Sequence, residues 1–197
     1  MNAAKQELME LLAAASRDRD ITPEEIPGID LYMDQIITLF EEKISSGGRG
    51  AGEKPLTKTM VNNYSKDGII KPIKGKKYTK EQIMQMLYIY RLKQALSIGD
   101  IRRVLRCLPD DGEGSQRESL IAVYERFQDS KGETTRALLE LSSALCPEEE
   151  PDMARLVELV VELSWVSHTA RKMCEAVIDR YMPEKDPGRG SKKQEKE

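Results

Sequence analysis

Between Thr57 and Leu108 three short helix-forming runs surround a lysine-rich segment punctuated by Gly68, Pro72 and Gly75. No continuous helix can cross those three breakers, so this part of the chain must fold as several small pieces. Thr57 can cap a helix whose inward residues are Met60, Val61 and Tyr64. Lys58, Thr59, Asn62, Asn63 and Lys66 then point outward. Gly68 permits the left-handed backbone that ends such a helix, and Ile69 and Ile70 lead into an extended run. Ile73-Lys74-Gly75-Lys76-Lys77-Tyr78 reads as a tight hairpin, or wing, with Gly75 at its turn. Thr79 with Gln82 forms a capping box ahead of a helix through Ile83, Leu87, Tyr90 and Leu92. Ser97 with Asp100 repeats that signature before Ile98, Ile101, Val104, Leu105 and Leu108. The order is helix, wing, helix, helix.

The charge of this region sets it apart. Residues 53 to 106 carry thirteen Lys/Arg against four Asp/Glu, a local net of +9 in a chain whose total is −3. A compact basic block in an otherwise acidic chain is the footprint expected of a phosphate-binding module. A solvated lysine-rich face is the plainer explanation of charge alone. The residue types narrow the choice. Asparagine suits bidentate contact with adenine, and lysine suits guanine or phosphate, when their helix lies in the major groove. Wing residues Lys71, Lys74, Lys76 and Lys77 would position the protein on phosphates without reading sequence.

The rest of the chain reads as helices. Residues 5 to 16 place Leu8, Leu11, Leu12 and Ala15 on one side, and Asp30 is a candidate cap for a helix to about Ile44. That second helix carries an apolar stripe of Ile36, Ile37, Phe40 and Ile44. SSGGRGAGE then reads as a flexible loop, and PDDGEGS as a second boundary. Beyond it come an expected helix at 115–129, another at 133–145, an acidic turn, and a long helix from Pro151 to about Tyr181. In that last helix positions 153, 156, 160, 163, 167, 170, 174, 177 and 181 make a heptad-like seam, polar only at Ser167. It would serve as an intramolecular core or as a dimer contact. The tail from 183 to 197 has no large apolar residue and is expected to be disordered.

The run NYSKDGIIKP, then Tyr78, Ile83, Leu92 and SIGDIRRVL, resembles the MerR-type winged helix. With LYMDQIITLFEEKI and LTKTMVNNY, the stretch from 26 to 108 is similar to a bacterial family of uncharacterised regulators built on that domain. The resemblance implies DNA binding and dimerisation through helices after the winged domain. Two departures concern base preference. Asn62 and Asn63 stand where MerR proteins carry an Arg-Tyr pair, and the wing is shorter.

Chemistry is sparse. His168 is the only histidine, and it lies about 240° around a helix from Cys174, so a zinc site is not expected. No Walker motif, GxSxG or GxGxxG is present. The three cysteines, Cys107, Cys146 and Cys174, form no CxxC pair and read as reduced core thiols of a cytoplasmic protein. The expected architecture is mainly α: N-terminal helices at 1–50, a MerR-like winged helix-turn-helix with a short β-hairpin wing at 51–109, and an acidic helical bundle at 115–182. The expected function is a non-enzymatic, homodimeric transcriptional regulator that binds double-stranded DNA, with no cofactor, no metal and no membrane partner. A small-molecule effector is left open. The alternative is an interaction adaptor whose winged helix no longer touches DNA.

Overall fold

The computed structural model describes residues 3–17, 19–44, 54–71, 73, 75–108, 115–146, 151–182 and 184. They form α1 (Ala3–Ala15), a 3-10 turn (Pro23–Glu25), β1 (Leu31–Tyr32), α2 (Met33–Lys43), α3 (Lys58–Lys66), β2 (Lys77–Tyr78), α4 (Lys80–Leu92), α5 (Ile98–Arg106), α6 (Ser115–Leu145) and α7 (Met153–Tyr181). The protein is mainly helical, with one two-stranded antiparallel sheet. The expected loop at 45–53, the boundary at 109–114, the acidic turn at 147–150 and the tail (apart from 184) lie outside the described residues.

The helix starts follow local chemistry. Thr57 Oγ1 accepts from Met60 N–H at 3.2 Å, and Ser97 Oγ accepts from Asp100 N–H at 3.1 Å. Thr79 N–H donates to Gln82 Oε1 at 2.9 Å, completing the capping box of α4. α3 ends in a Schellman pair: Ile69 N–H donates to Tyr64 O and Gly68 N–H to Ser65 O, with Gly68 at φ 66°. α2 begins two residues later than the expected Asp30 cap implies, because Gln35 Oε1 reaches back to Tyr32 N–H at 2.9 Å. α7 likewise starts after Pro151, with Asp152 as its cap.

α4 is the centre of the molecule. Gln82 through Leu87, and Ile89, are all buried on it, so it is covered on nearly every side. Ile21, Ile26, Leu31, Ile36, Phe40 and Ile44 come from the N-terminal segment to the same core as Val61, Tyr64, Ile70, Tyr78, Ile101 and Leu105. Leu120 and Tyr124 of α6 close it from the other side. Tyr88 donates its hydroxyl hydrogen to Leu120 O at 2.9 Å, and burial pushes the Tyr88 and Tyr124 hydroxyls up to about 12. Asp20, only 4 % exposed at its side chain, ion-pairs with Arg91 of α4 and with Lys131 of α6 at 2.5 Å.

Four expectations are corrected. The wing is not a self-contained hairpin among the described residues: Lys77 and Tyr78 pair with Tyr32 and Leu31 instead. The buried side chains of Leu31 and Tyr78 in this register explain the choice, since the pairing seals the core beneath it. The helices expected at 115–129 and 133–145 are one continuous helix, α6, running through Gly132. A mid-helix glycine costs about 1 kcal/mol, which packing of α6 against α4 and α1 can offset. Cys107 and Cys174 are exposed, and only Cys146 is buried. Finally, α6 and α7 do not close a bundle of their own. On α7 only Leu159 and Ile178 are buried, whereas Met153, Val160, Val177 and Tyr181 of the heptad-like seam are exposed. Among the described residues the seam is thus covered only in part, with Leu156 and Leu163 half-buried, while α6 packs chiefly on α1 and α4.

Candidate nucleic-acid interface

Lys58, Thr59, Asn62, Asn63 and Lys66 are all exposed on α3. At 100° per residue they occupy an arc of about 140°, opposite buried Val61 and Tyr64. Among the described residues no side-chain hydrogen bond ties down Thr59, Asn62 or Asn63, and all three are exposed. Burial raises the hydroxyl pKa of Tyr64 and of Tyr78, in keeping with roles in packing rather than in surface contact.

The lysines of the expected wing are placed by the rest of the fold. The backbone of Lys71 is gripped from α4 on both sides. Gln82 Nε2 donates to its carbonyl at 2.9 Å, and its N–H donates to Gln85 Oε1 at 3.4 Å. Both glutamines are at least 95 % buried, so this polar pair fixes where the wing leaves the core. Gly75, at φ 89°, turns the chain back toward β2. Lys71, Lys76 and Lys77 are exposed, and Lys74 lies outside the described residues.

The first turn of α2 joins the two groups. Lys58 Nζ reaches Asp34 at 2.6 Å, while Lys77 Nζ lies 5.0 Å from the centre of the Tyr32 ring. Residues 32 and 34 are two apart, so the start of α3 and the wing both touch the entry to α2. Lys71 is paired with Glu81 at 3.1 Å. Lys66 and Lys76 have no ion-pair partner among the described residues. Sequence reasoning missed Tyr32 and Asp34, which nothing in the local pattern marks as neighbours of the lysines. It also passed over Arg102 and Arg106, which line a recess with Lys71. Their signal was visible as two arginines one turn apart in SIGDIRRVL and RC.

The arrangement presents lysine, threonine and asparagine side chains to solvent. Among the described residues no three His, Cys, Asp or Glu side chains gather as a metal would need. His168 is exposed on α7, with its ring 5.6 Å from that of Trp165. No helix among the described residues is long and apolar enough to cross a membrane.

A family profile described as "Domain of unknown function (DUF1836)" matches residues 21–127, more than half of the chain. No curated protein and no solved structure matches the chain. The matched stretch opens at Ile21, the first buried residue of the shared core, and closes just past Tyr124, its last. The chain belongs to the DUF1836 family.

Proposed function

We propose that this protein is a cytoplasmic, DNA-binding transcriptional regulator that acts as a homodimer. The observation that carries the reading is the exposed face of α3, where Lys58, Thr59 and Lys66 flank Asn62 and Asn63, and of these five only Lys58 has an ion-pair partner among the described residues, Asp34. On this reading α3 enters the major groove, and Lys76 and Lys77 contact flanking phosphates from the wing. The order of α3, wing, α4 and α5 supports a MerR-like winged helix, with β1 standing in for one strand of the wing. The second copy would join through α7, whose Val157, Val160, Val161 and Trp165 are 55–67 % exposed.

The test is capture of fragmented genomic DNA on purified protein at about 100 mM salt, where phosphate contacts still hold. Enrichment of a few sites with two-fold symmetry is the expected result, and the half-site spacing then gives the dimer geometry. With about four phosphates neutralised per protomer, log affinity should fall with log salt at a slope of about −7. Asn62→Ala should relax base preference, while Lys76→Ala or Lys77→Ala should weaken all DNA alike. Weak retention without salt dependence would overturn the reading in favour of the interaction adaptor.

A further inference from the structure

Arg102, Arg106 and Lys71 line one recess of about 220 Å³ between α5 and the wing. Its other walls are Gly68, Ile69, Gln85, Leu105 and Leu108. We infer that this recess is an anion site that seats one phosphate-type oxyanion, held chiefly by the Arg102 and Arg106 guanidinium groups.

Three observations converge on it. Arg102 and Arg106 are one turn apart on α5, a spacing at which like charges repel unless something negative lies between them. Arg102 is half-exposed, but its Nε is buried and has no hydrogen-bond partner among the described residues, so one donor of the guanidinium lacks an acceptor. No carboxylate is among the described lining residues, and Glu81 pairs with Lys71. The apolar walls of Ile69, Leu105 and Leu108 lower the local dielectric, which strengthens a charge-assisted bond once an anion enters. A guanidinium presents a planar fork matched to two oxygens of a phosphate. The volume is several times the roughly 30 Å³ that a water occupies in the liquid, so a tetrahedral oxyanion fits.

The neighbouring Arg103 is committed elsewhere. It donates to Met182 O, to Ile178 O and to Asp179, and so anchors the end of α7. α5 therefore carries one arginine for α7 and two for the recess. An anion seated there would stand between α5 and the start of the wing. Its source is either a free phosphate or phosphate ester, or a backbone phosphate of bound DNA. The DNA arm rests on the function proposed above, and the free-anion arm does not.

The experiment titrates inorganic phosphate into the full chain at low ionic strength by calorimetry, with duplex-DNA salt slopes measured in parallel. Saturable uptake is expected for the native chain. It should be weaker by roughly tenfold or more in Arg102→Gln/Arg106→Gln and unchanged in Lys58→Gln/Lys76→Gln. Arg102→Lys, which keeps the charge but loses the fork, should fall between, and it carries the test if the double variant does not fold. If free phosphate is not taken up but the double variant makes the dimer's DNA slope shallower by about 1.8, the phosphate comes from DNA. Phosphate uptake in a chain that ignores DNA supports the site while overturning the regulator. Absence of both effects overturns the inference, as does equal loss of phosphate in the Lys58/Lys76 control.

Discussion

Val160 is the residue on which self-association can be tested most directly. It lies on α7, is 66 % exposed in the single chain and belongs to the heptad-like seam. Full burial of a valine contributes about 1.5 kcal/mol at the low end, so covering the exposed two-thirds contributes about 1 kcal/mol. In a two-fold interface the residue occurs twice, giving about 2 kcal/mol. Val160→Asp removes that and buries two unpaired carboxylates, each costing at least about 1 kcal/mol even when largely relieved by rearrangement. The sum is about 4 kcal/mol, a dimer roughly a thousandfold weaker. Because Val160 touches little within its own chain, helicity and thermal unfolding of the monomer should stay unchanged. Sedimentation equilibrium reads the dissociation constant. Trp165, the only tryptophan, is 67 % exposed and should shift its emission to the blue as the native chain dimerises. A Val160→Asp variant that associates as tightly as the native chain would refute the reasoning. So would a dimer whose Trp165 emission does not change with concentration.

Three further outcomes follow from the core. Gly68→Ala should lower stability by about 1 kcal/mol in a denaturant titration, from left-handed strain alone, because a methyl group there meets nothing within 4 Å. Asp20→Asn should cost about 3 kcal/mol, since it leaves Arg91 and Lys131 facing a neutral amide at a buried position. Tyr88 and Tyr124 ionise near 12 in the folded chain and near 10 when unfolded. Their raised values stabilise the fold fully below pH 10, and that contribution is lost as pH climbs from 10 to 12. Tyr88→Phe should flatten the alkaline limb of a stability profile.

Local signals were legible wherever a side chain acts on its own neighbourhood. Thr57, Thr79 and Ser97 start helices because each oxygen meets an amide three residues on, a relation visible in the letters alone. The same holds for the outward face of α3, which period and polarity define. What failed were choices between partners distant in the chain. Ile73 to Tyr78 has the composition of a hairpin, yet Tyr78 gains more by pairing with Leu31, a residue no local pattern connects to it. The helices expected at 115–129 and 133–145 are one, because α6 packs on the α4 and α1 surfaces, distant in the chain, on both sides of the expected gap. The heptad-like spacing of α7 was real, but spacing cannot say which surface lies opposite. Arg102 and Arg103 adjoin in sequence and serve different sides of the molecule, which only the direction of each side chain reveals.

The β1–β2 pairing also bears on how the chain is made. Synthesis proceeds from the N-terminus, so Ile21, Ile26, Ile36 and Phe40 emerge well before Tyr78 and the α4 residues that will cover them. Until then the nascent segment displays its apolar stripe with no lid, and only local helix formation in α2 can shield it. Closing the sheet must wait for a distant strand, which places it among the slower events of folding. A fragment beginning at residue 51 would escape that wait but would leave β2 as an unpaired edge over an open core, a ready site for aggregation.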